Sequence, residues 1–174
     1  MNKAMVAAGC FWGVEEIFRT TSGVINTKVG YSGGNISSPT YEQVCNNDTG
    51  HAEVVLIEFD ESISYESILN IFFESHNPTQ LNRQGPDVGT QYRSSIFYFD
   101  DTQKLTAENI LNTLQPKFNN KIVTEITEAS EFFIAEDYHQ EYVAKGGVCH
   151  FQKKNLRTLS IYWKLIVLLK PSEV

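Results

Sequence analysis

The stretch from residue 52 to residue 60 constrains the fold more than any other part of this 174-residue chain. Glu53, Val55, Ile57 and Phe59 fall on one side of it by a period of two, the pattern of a strand with one face turned to a core. Ser64 then stands where a helix N-cap belongs. Ile68, Leu69, Ile71, Phe72 and Phe73 form an apolar helical side until His76-Asn77-Pro78 ends the run. A half-buried strand feeding an amphipathic helix needs further strands beside it. The chain offers them over 3–8, 24–31, 94–99 and 122–127. Helices are predicted over 14–19, from Asp101 or Thr102 to near Pro116, and over 135–145, with polar, glycine-bearing loops at 32–39 and 80–92.

The order β-α-β-β-α-β predicts an α+β fold of the ferredoxin-like, split βαβ kind. It is a two-layer sandwich with helices on one face of a mostly antiparallel sheet, ending in an irregular C-terminal arm. No repeat, linker or low-complexity tract divides the chain, so one domain is expected over 1–150, followed by a tail at 151–174. The charge is uneven. Residues 1–141 carry a net −12 and residues 142–174 a net +5, within an overall −7. That balance disfavours nucleic acid as a partner. The basic tail, with Tyr162, Trp163 and the apolar run 165–169, is expected to dock on the acidic body or hang loosely rather than lie on a membrane. No segment is apolar for long enough to span a bilayer, and no signal-peptide pattern opens the chain. Three scattered cysteines, Cys10, Cys45 and Cys149, argue against a disulfide scaffold and for a reducing, cytoplasmic setting.

Gly9-Cys10-Phe11-Trp12-Gly13 carries the chemistry, because it sets a thiol at a strand-to-helix turn. Unpaired N–H groups and the macrodipole of a helix start favour an anion, so the Cys10 pKa is expected to fall toward neutrality. The competing reading is a structural cysteine among core aromatics. Glu53 shares its face with apolar residues and is expected to point inward, the alternative being a solvated, inactive carboxylate at the strand mouth. Burial would keep its carboxyl protonated near neutrality and make it a proton donor. Taken alone, Asp87 reads as a turn aspartate and Tyr41 and Tyr92 as packing residues. His51 reads as a polar residue at a strand start. Cys149 follows Gly146-Gly147, which reads either as a mobile arm suited to bringing a thiol to a second sulfur or as an inert surface cysteine.

Together these segments point to a family. Gly9-Cys10-Phe11-Trp12-Gly13, Pro39-Thr40-Tyr41-Glu42-Gln43-Val44-Cys45, Thr49-Gly50-His51-Ala52-Glu53-Val54-Val55 and the run 82–94 closely resemble the type A peptide methionine sulfoxide reductases. His139-Gln140-Glu141-Tyr142 is similar to that family's sequence ahead of its recycling cysteine, and the resemblance covers roughly residues 3–149. It implies reduction of the S-epimer of methionine sulfoxide, free or in proteins, as a repair of oxidative damage. It implies Cys10 as nucleophile, Phe11 and Trp12 as an apolar wall for the substrate methyl, and Glu53 as the acid, with Tyr41 and Tyr92 donating to the sulfoxide oxygen. Asp87 would order the polar side of the site through water. Cys149 would resolve a sulfenic acid on Cys10, and Cys45 is read as a small buried residue. The implied reductant is thioredoxin, or dithiothreitol in the test tube, acting on a monomer with no bound metal or cofactor. The rivals are a cysteine hydrolase drawing on His51, His76, His139 or His150, a metal site of Cys45, His51, Cys149 and His150, and a non-catalytic methionine sulfoxide binder.

Overall fold

A computed structural model of the chain describes residues 2–46 and 49–149. In chain order its elements are β1 (Asn2–Ala8), α1 (Phe11–Arg19), β2 (Val24–Ser32), α2 (Tyr41–Cys45), β3 (Ala52–Phe59) and α3 (Tyr65–Ser75). These are followed by β4 (Arg83–Gln84), β5 (Asp87–Val88), β6 (Ser94–Tyr98), α4 (Asp101–Leu114), β7 (Glu125–Glu128) and β8 (Phe133–Ile134). Six strands form one sheet in the order β7-β6-β1-β3-β2-β8, antiparallel except where β7 runs parallel to β6. β4 and β5 form a separate hairpin.

The sequence of β1 explains its central place. Ala4, Met5, Val6, Ala7 and Ala8 are all buried, so both faces of the strand are covered. On one face Ala4, Val6, Val29, Tyr31, Val55, Ile57 and Phe59 share a core with Val14 and Phe18 of α1, Ile68, Leu69 and Phe72 of α3 and Ala107 of α4. Each large side chain buried there contributes about 1.5–3 kcal/mol. On the other face Met5, Ala7, Ala52, Val54 and Phe97 lie under Ala129 and Phe132 from the chain beyond β7. The helices thus line one face, as the sequence pattern implies, while irregular C-terminal chain covers the other.

Local signals explain the helix starts. Ser64 accepts the N–H of Ser67 ahead of α3, and Asp100 accepts that of Gln103 ahead of α4. The short α2, absent from the sequence reading, opens on a complete capping box between Thr40 and Gln43. Three other expectations are corrected. The last long strand begins at Glu125 rather than at residue 122, because the N–H groups of Ile122 and Val123 are bonded to the Gln115 side chain and to the Pro78 carbonyl, away from the sheet. The 80–92 loop is structured as the β4–β5 hairpin and a 3-10 turn at Thr90–Tyr92. The helix expected over 135–145 is a chain of turns. Glu141 has φ 53°, a left-handed value that a helix does not accommodate. The Glu141 N–H donates to the Glu15 carboxylate, and the Gln140 amide bonds both backbone groups of Val29. Anchors on α1 and β2 thus replace helical hydrogen bonds. His150 and the basic tail at 151–174 lie outside the described residues.

Candidate active site

The turn between β1 and α1 sets the geometry of the thiol. Gly9 has φ 91°, and a Cβ built there would stand 2.7 Å from the Gln84 Cβ of the hairpin. Only glycine allows the backbone to bend there and the hairpin to close over it. Cys10 follows as the N-cap of α1, with φ −56°, ψ 118° and no capping hydrogen bond from its side chain. The first N–H of the helix, on Phe11, instead donates to Glu53 Oε2 at 3.0 Å. The next, on Trp12, favours a thiolate on Cys10.

That division reverses the expected pKa shift. The Cys10 thiol lies above its ordinary range, through its hydrogen bond with Cys149, then burial, then the nearby Glu53 carboxyl. A helix start stabilises an anion, but here a carboxyl already occupies its first donor. Glu53 behaves as its strand position implies. It is 1% exposed, paired in register with Tyr31 on β2, and burial pushes its carboxyl up to about 8. The Phe11 N–H opposes that rise, and the charges of Asp87 and Cys149 add to it. Glu53 is therefore largely protonated at neutral pH.

Two phenols and a carboxylate complete this neighbourhood. Tyr41 opens α2, and its hydroxyl is hydrogen-bonded to Cys45 one turn on. Tyr92 ends the 3-10 turn that follows the hairpin. Burial holds both hydroxyls above their usual range, and the charge of Glu53 acts on each. Tyr92 also feels Cys45, Asp87 and Cys10, so the five predicted polar residues share one electrostatic environment. Asp87 sits on β5, opposite Gln84. Cys45 is half-buried rather than enclosed.

The aromatic pair is divided between the core and its margin. Phe11 is 1% exposed and belongs to the main core, whereas Trp12 is half-buried at its margin. The Trp12 ring stacks on Tyr142 at 3.9 Å, and its indole N–H donates to His139 Nδ1 at 3.0 Å. Past Tyr142 the arm turns at Gly146, where φ is 93°. A Cβ on Gly147 would overlap the Tyr142 ring. This close passage carries Cys149 back to the site, its Sγ 3.9 Å from Cys10 Sγ.

The described histidines of the rival readings have partners of their own. His51 is bonded to Gly34 and Ile36, His76 to Phe72 and Ser94, and His139 to Trp12. Each described histidine is thus engaged away from Cys10. Among the described residues no group of three or more His, Cys, Asp or Glu side chains could hold a metal. Sequence reasoning missed Glu15, which bonds Thr27 and Glu141, and Glu136, which bonds Tyr31 and Tyr41. Neither stands in a pattern that announces a role. Their partners are 12 to 126 positions away in the chain, and only the fold makes them neighbours.

The family model described as peptide methionine sulfoxide reductase matches residues 2–163. The chain belongs to the peptide methionine sulfoxide reductases. Like them it is an oxidoreductase, a peptide-methionine (S)-S-oxide reductase that returns methionine sulfoxide to methionine. A peptide methionine sulfoxide reductase MsrA of Methanosarcina acetivorans is 55% identical to it over 150 residues, 84% of this chain and 80% of that one. The structure of Mxr1 from Saccharomyces cerevisiae in reduced form is similar with a TM-score of 0.81 and 37% identity, covering 85% of this chain and 88% of that one. Mxr1 in complex with Trx2 matches with a TM-score of 0.58 and 26% identity, covering 81% and 84%. Among the described residues of this reductase no helix is long and apolar enough to cross a membrane.

Proposed function

We propose that this reductase works through a Cys10–Cys149 relay, and the 3.9 Å separation of the two sulfurs beside a buried, protonated Glu53 carries the reading. Cys10 attacks the sulfoxide sulfur of the S-epimer. Glu53 protonates the departing oxygen, and Tyr41 and Tyr92 donate hydrogen bonds to it. A sulfoxide oxygen leaves poorly until donors take up its developing charge, and preorganised donors in a site drier than water do this best. The Cys10 thiol proton replaces the one Glu53 gives up as the Cys10 sulfur bonds to the substrate sulfur. The protonated oxygen then leaves the substrate sulfur and bonds to the Cys10 sulfur while the transient sulfur–sulfur bond breaks, which frees methionine and leaves Cys10 as a sulfenic acid. The Cys149 thiol condenses with it, releasing water and forming a disulfide. Thioredoxin then transfers two electrons by thiol–disulfide exchange and restores both thiols. Mxr1, whose complex with Trx2 is a structural relative, supports that choice of reductant. Dithiothreitol would serve in its place.

Trp12, with one ring face on Tyr142, and the buried Phe11 would form the wall for the substrate methyl, and Asp87 would order the polar side. The raised thiol does not oppose this scheme. A neutral Cys10 waiting beside a neutral Glu53 avoids two buried charges, and the proton needed at the sulfoxide oxygen is already in the site. We also take residues 1–150 as a single catalytic domain of ferredoxin-like type. The order β6-β1-β3-β2, with α1 and α3 on one face, supports that description. The acting unit is a monomer in the cytoplasm, since every group in the relay comes from one chain and both thiols must be kept reducible. The test uses racemic methionine sulfoxide with dithiothreitol. Loss of the S-epimer alone, abolished by Cys10→Ser, is expected. Turnover that survives Cys10→Ser would overturn the assignment.

A further inference from the structure

We infer that Glu136 is a positioning residue, whose single carboxylate holds the Tyr41 end of the site directly and the Trp12 end through His139. The proposal rests on the roles given above to Tyr41 and Trp12. Glu136 lies in the turn segment after β8, and its two oxygens are divided between two tasks. Oε1 accepts the backbone N–H of Tyr41 at 3.0 Å, and Oε2 accepts the Tyr31 hydroxyl at 2.9 Å. Oε2 also faces His139 Nε2 at 3.7 Å.

The tautomer of His139 follows from its other nitrogen. Nδ1 accepts the Trp12 indole N–H, so in the neutral ring the proton is on Nε2. Burial holds His139 below its ordinary range and keeps it neutral. Nε2 is enclosed and has no hydrogen-bond partner among the described residues, which leaves the Glu136 carboxylate as the group it faces. The ring is fully buried between Phe11, Trp12, Tyr41 and Tyr138, with centroids 4.0–5.6 Å away. It can therefore set the indole plane of Trp12, as an orienting carboxylate sets a catalytic imidazole.

The hold on Tyr41 matters because α2 is five residues long. So short a helix has little stability of its own and takes its position from its anchors. Thr40 and Gln43 satisfy each other at its start, whereas the Tyr41 N–H reaches outward to Glu136. Releasing that N–H would let the phenol drift from the oxygen it is proposed to contact. Displacements of about 1 Å are enough to cost about a hundredfold in rate. Burial works against the charge on Glu136, yet the Tyr41 N–H, its own N–H and the Tyr31 hydroxyl outweigh it and keep the carboxyl below its usual range. The acceptor is thus ionised at neutral pH.

Glu136→Gln keeps the size of the side chain but sets an amide where the carboxylate stood. Its N–H2 must face either the Tyr41 N–H or the His139 Nε2–H, donor against donor. We expect kcat/KM to fall about tenfold in the wild-type background and only about threefold when Tyr41→Phe is already present, since the Tyr41 limb then has little left to lose while the His139–Trp12 limb remains. The Trp12 indole N–H resonance, assigned from its loss in Trp12→Phe, should move in Glu136→Gln. Should that variant fold poorly, Glu136→Asp retains the charge one methylene short and is expected to lose about threefold in the same cycle. A kcat/KM within twofold of wild type overturns the proposal. So does the same tenfold loss in the Tyr41→Phe background, the signature of a general structural role. An unmoved indole resonance overturns the imidazole limb. The wild-type rate and Cys10→Ser, run alongside, report separately on the relay itself.

Discussion

Glu53→Gln should make the protein more stable and far less active, and the size of the gain should depend on pH. The carboxyl is 1% exposed and titrates at about 8, against 4.5 for an unperturbed glutamate. Between those values the unfolded chain has released the proton while the folded protein keeps it. The folded state binds more protons there, so wild-type stability falls as pH rises through that window. Glutamine carries no such linkage and can still accept the Phe11 N–H. At about 1.36 kcal/mol per unit, the variant should gain about 1 kcal/mol at pH 5, about 3 at pH 7 and about 5 at pH 9. Urea unfolding of the reduced protein at those three pH values measures this directly. Activity should drop by about 10²–10⁴ in the same variant, because the amide cannot give up a proton. A stability difference that stays constant from pH 5 to pH 9 would show that Glu53 is not held protonated by burial, and the acid role would lose its basis. The combination sought is a group that destabilises the fold because the chemistry needs it there.

The same titration predicts that kcat/KM falls about tenfold per pH unit once pH exceeds about 8, as the acid ionises, and a pH profile with the S-sulfoxide checks it. Cys149→Ser should release one methionine per enzyme but fail to turn over with thioredoxin. Mass spectrometry of the wild type after exposure to substrate should find Cys10 joined to Cys149, and a Cys10–Cys45 bond would reassign the relay. Gly147→Ala places a methyl into the Tyr142 ring. It should slow the disulfide-forming step while leaving the first turnover intact, and quenched-flow thiol counting separates the two. Phe11→Ala should lower stability by about 3–5 kcal/mol, because the ring is buried in the main core, and thermal unfolding measures it.

How much could be read ahead of the structure follows the range of the forces involved. Strands 3–8, 24–31, 52–60 and 94–99 and the helix after Ser64 declare themselves through periodicity and caps, which act over a few residues. The period of two puts Glu53 on the inward face, and its burial excludes the solvated alternative. The 135–145 segment misled because its helical composition is overruled by Gln140 bonding Val29 and by the Glu141 N–H bonding Glu15, partners more than a hundred positions away. The Thr40–Gln43 capping box was legible in principle, though five residues carry too little periodicity to register as a helix.

The site divides along the same line. Residue types and local spacing were enough to single out Cys10 at a helix start, Glu53 on an apolar face and Cys149 after two glycines, whereas Tyr41, Tyr92 and Asp87 entered only through the family resemblance. Their protonation states were not in the sequence. The helix start alone predicts a low thiol pKa, but the fold gives the first N–H of α1 to Glu53 and brings Cys149 to within 3.9 Å of Cys10, so the thiol rises. A pKa is set by every charge, dipole and missing water around a group, and those neighbours arrive from β3, the hairpin and the C-terminal arm. The chain determined which reactive groups exist and which elements carry them. Only the packed tertiary structure decided which of them hold protons, because desolvation and through-space charge belong to the assembled fold.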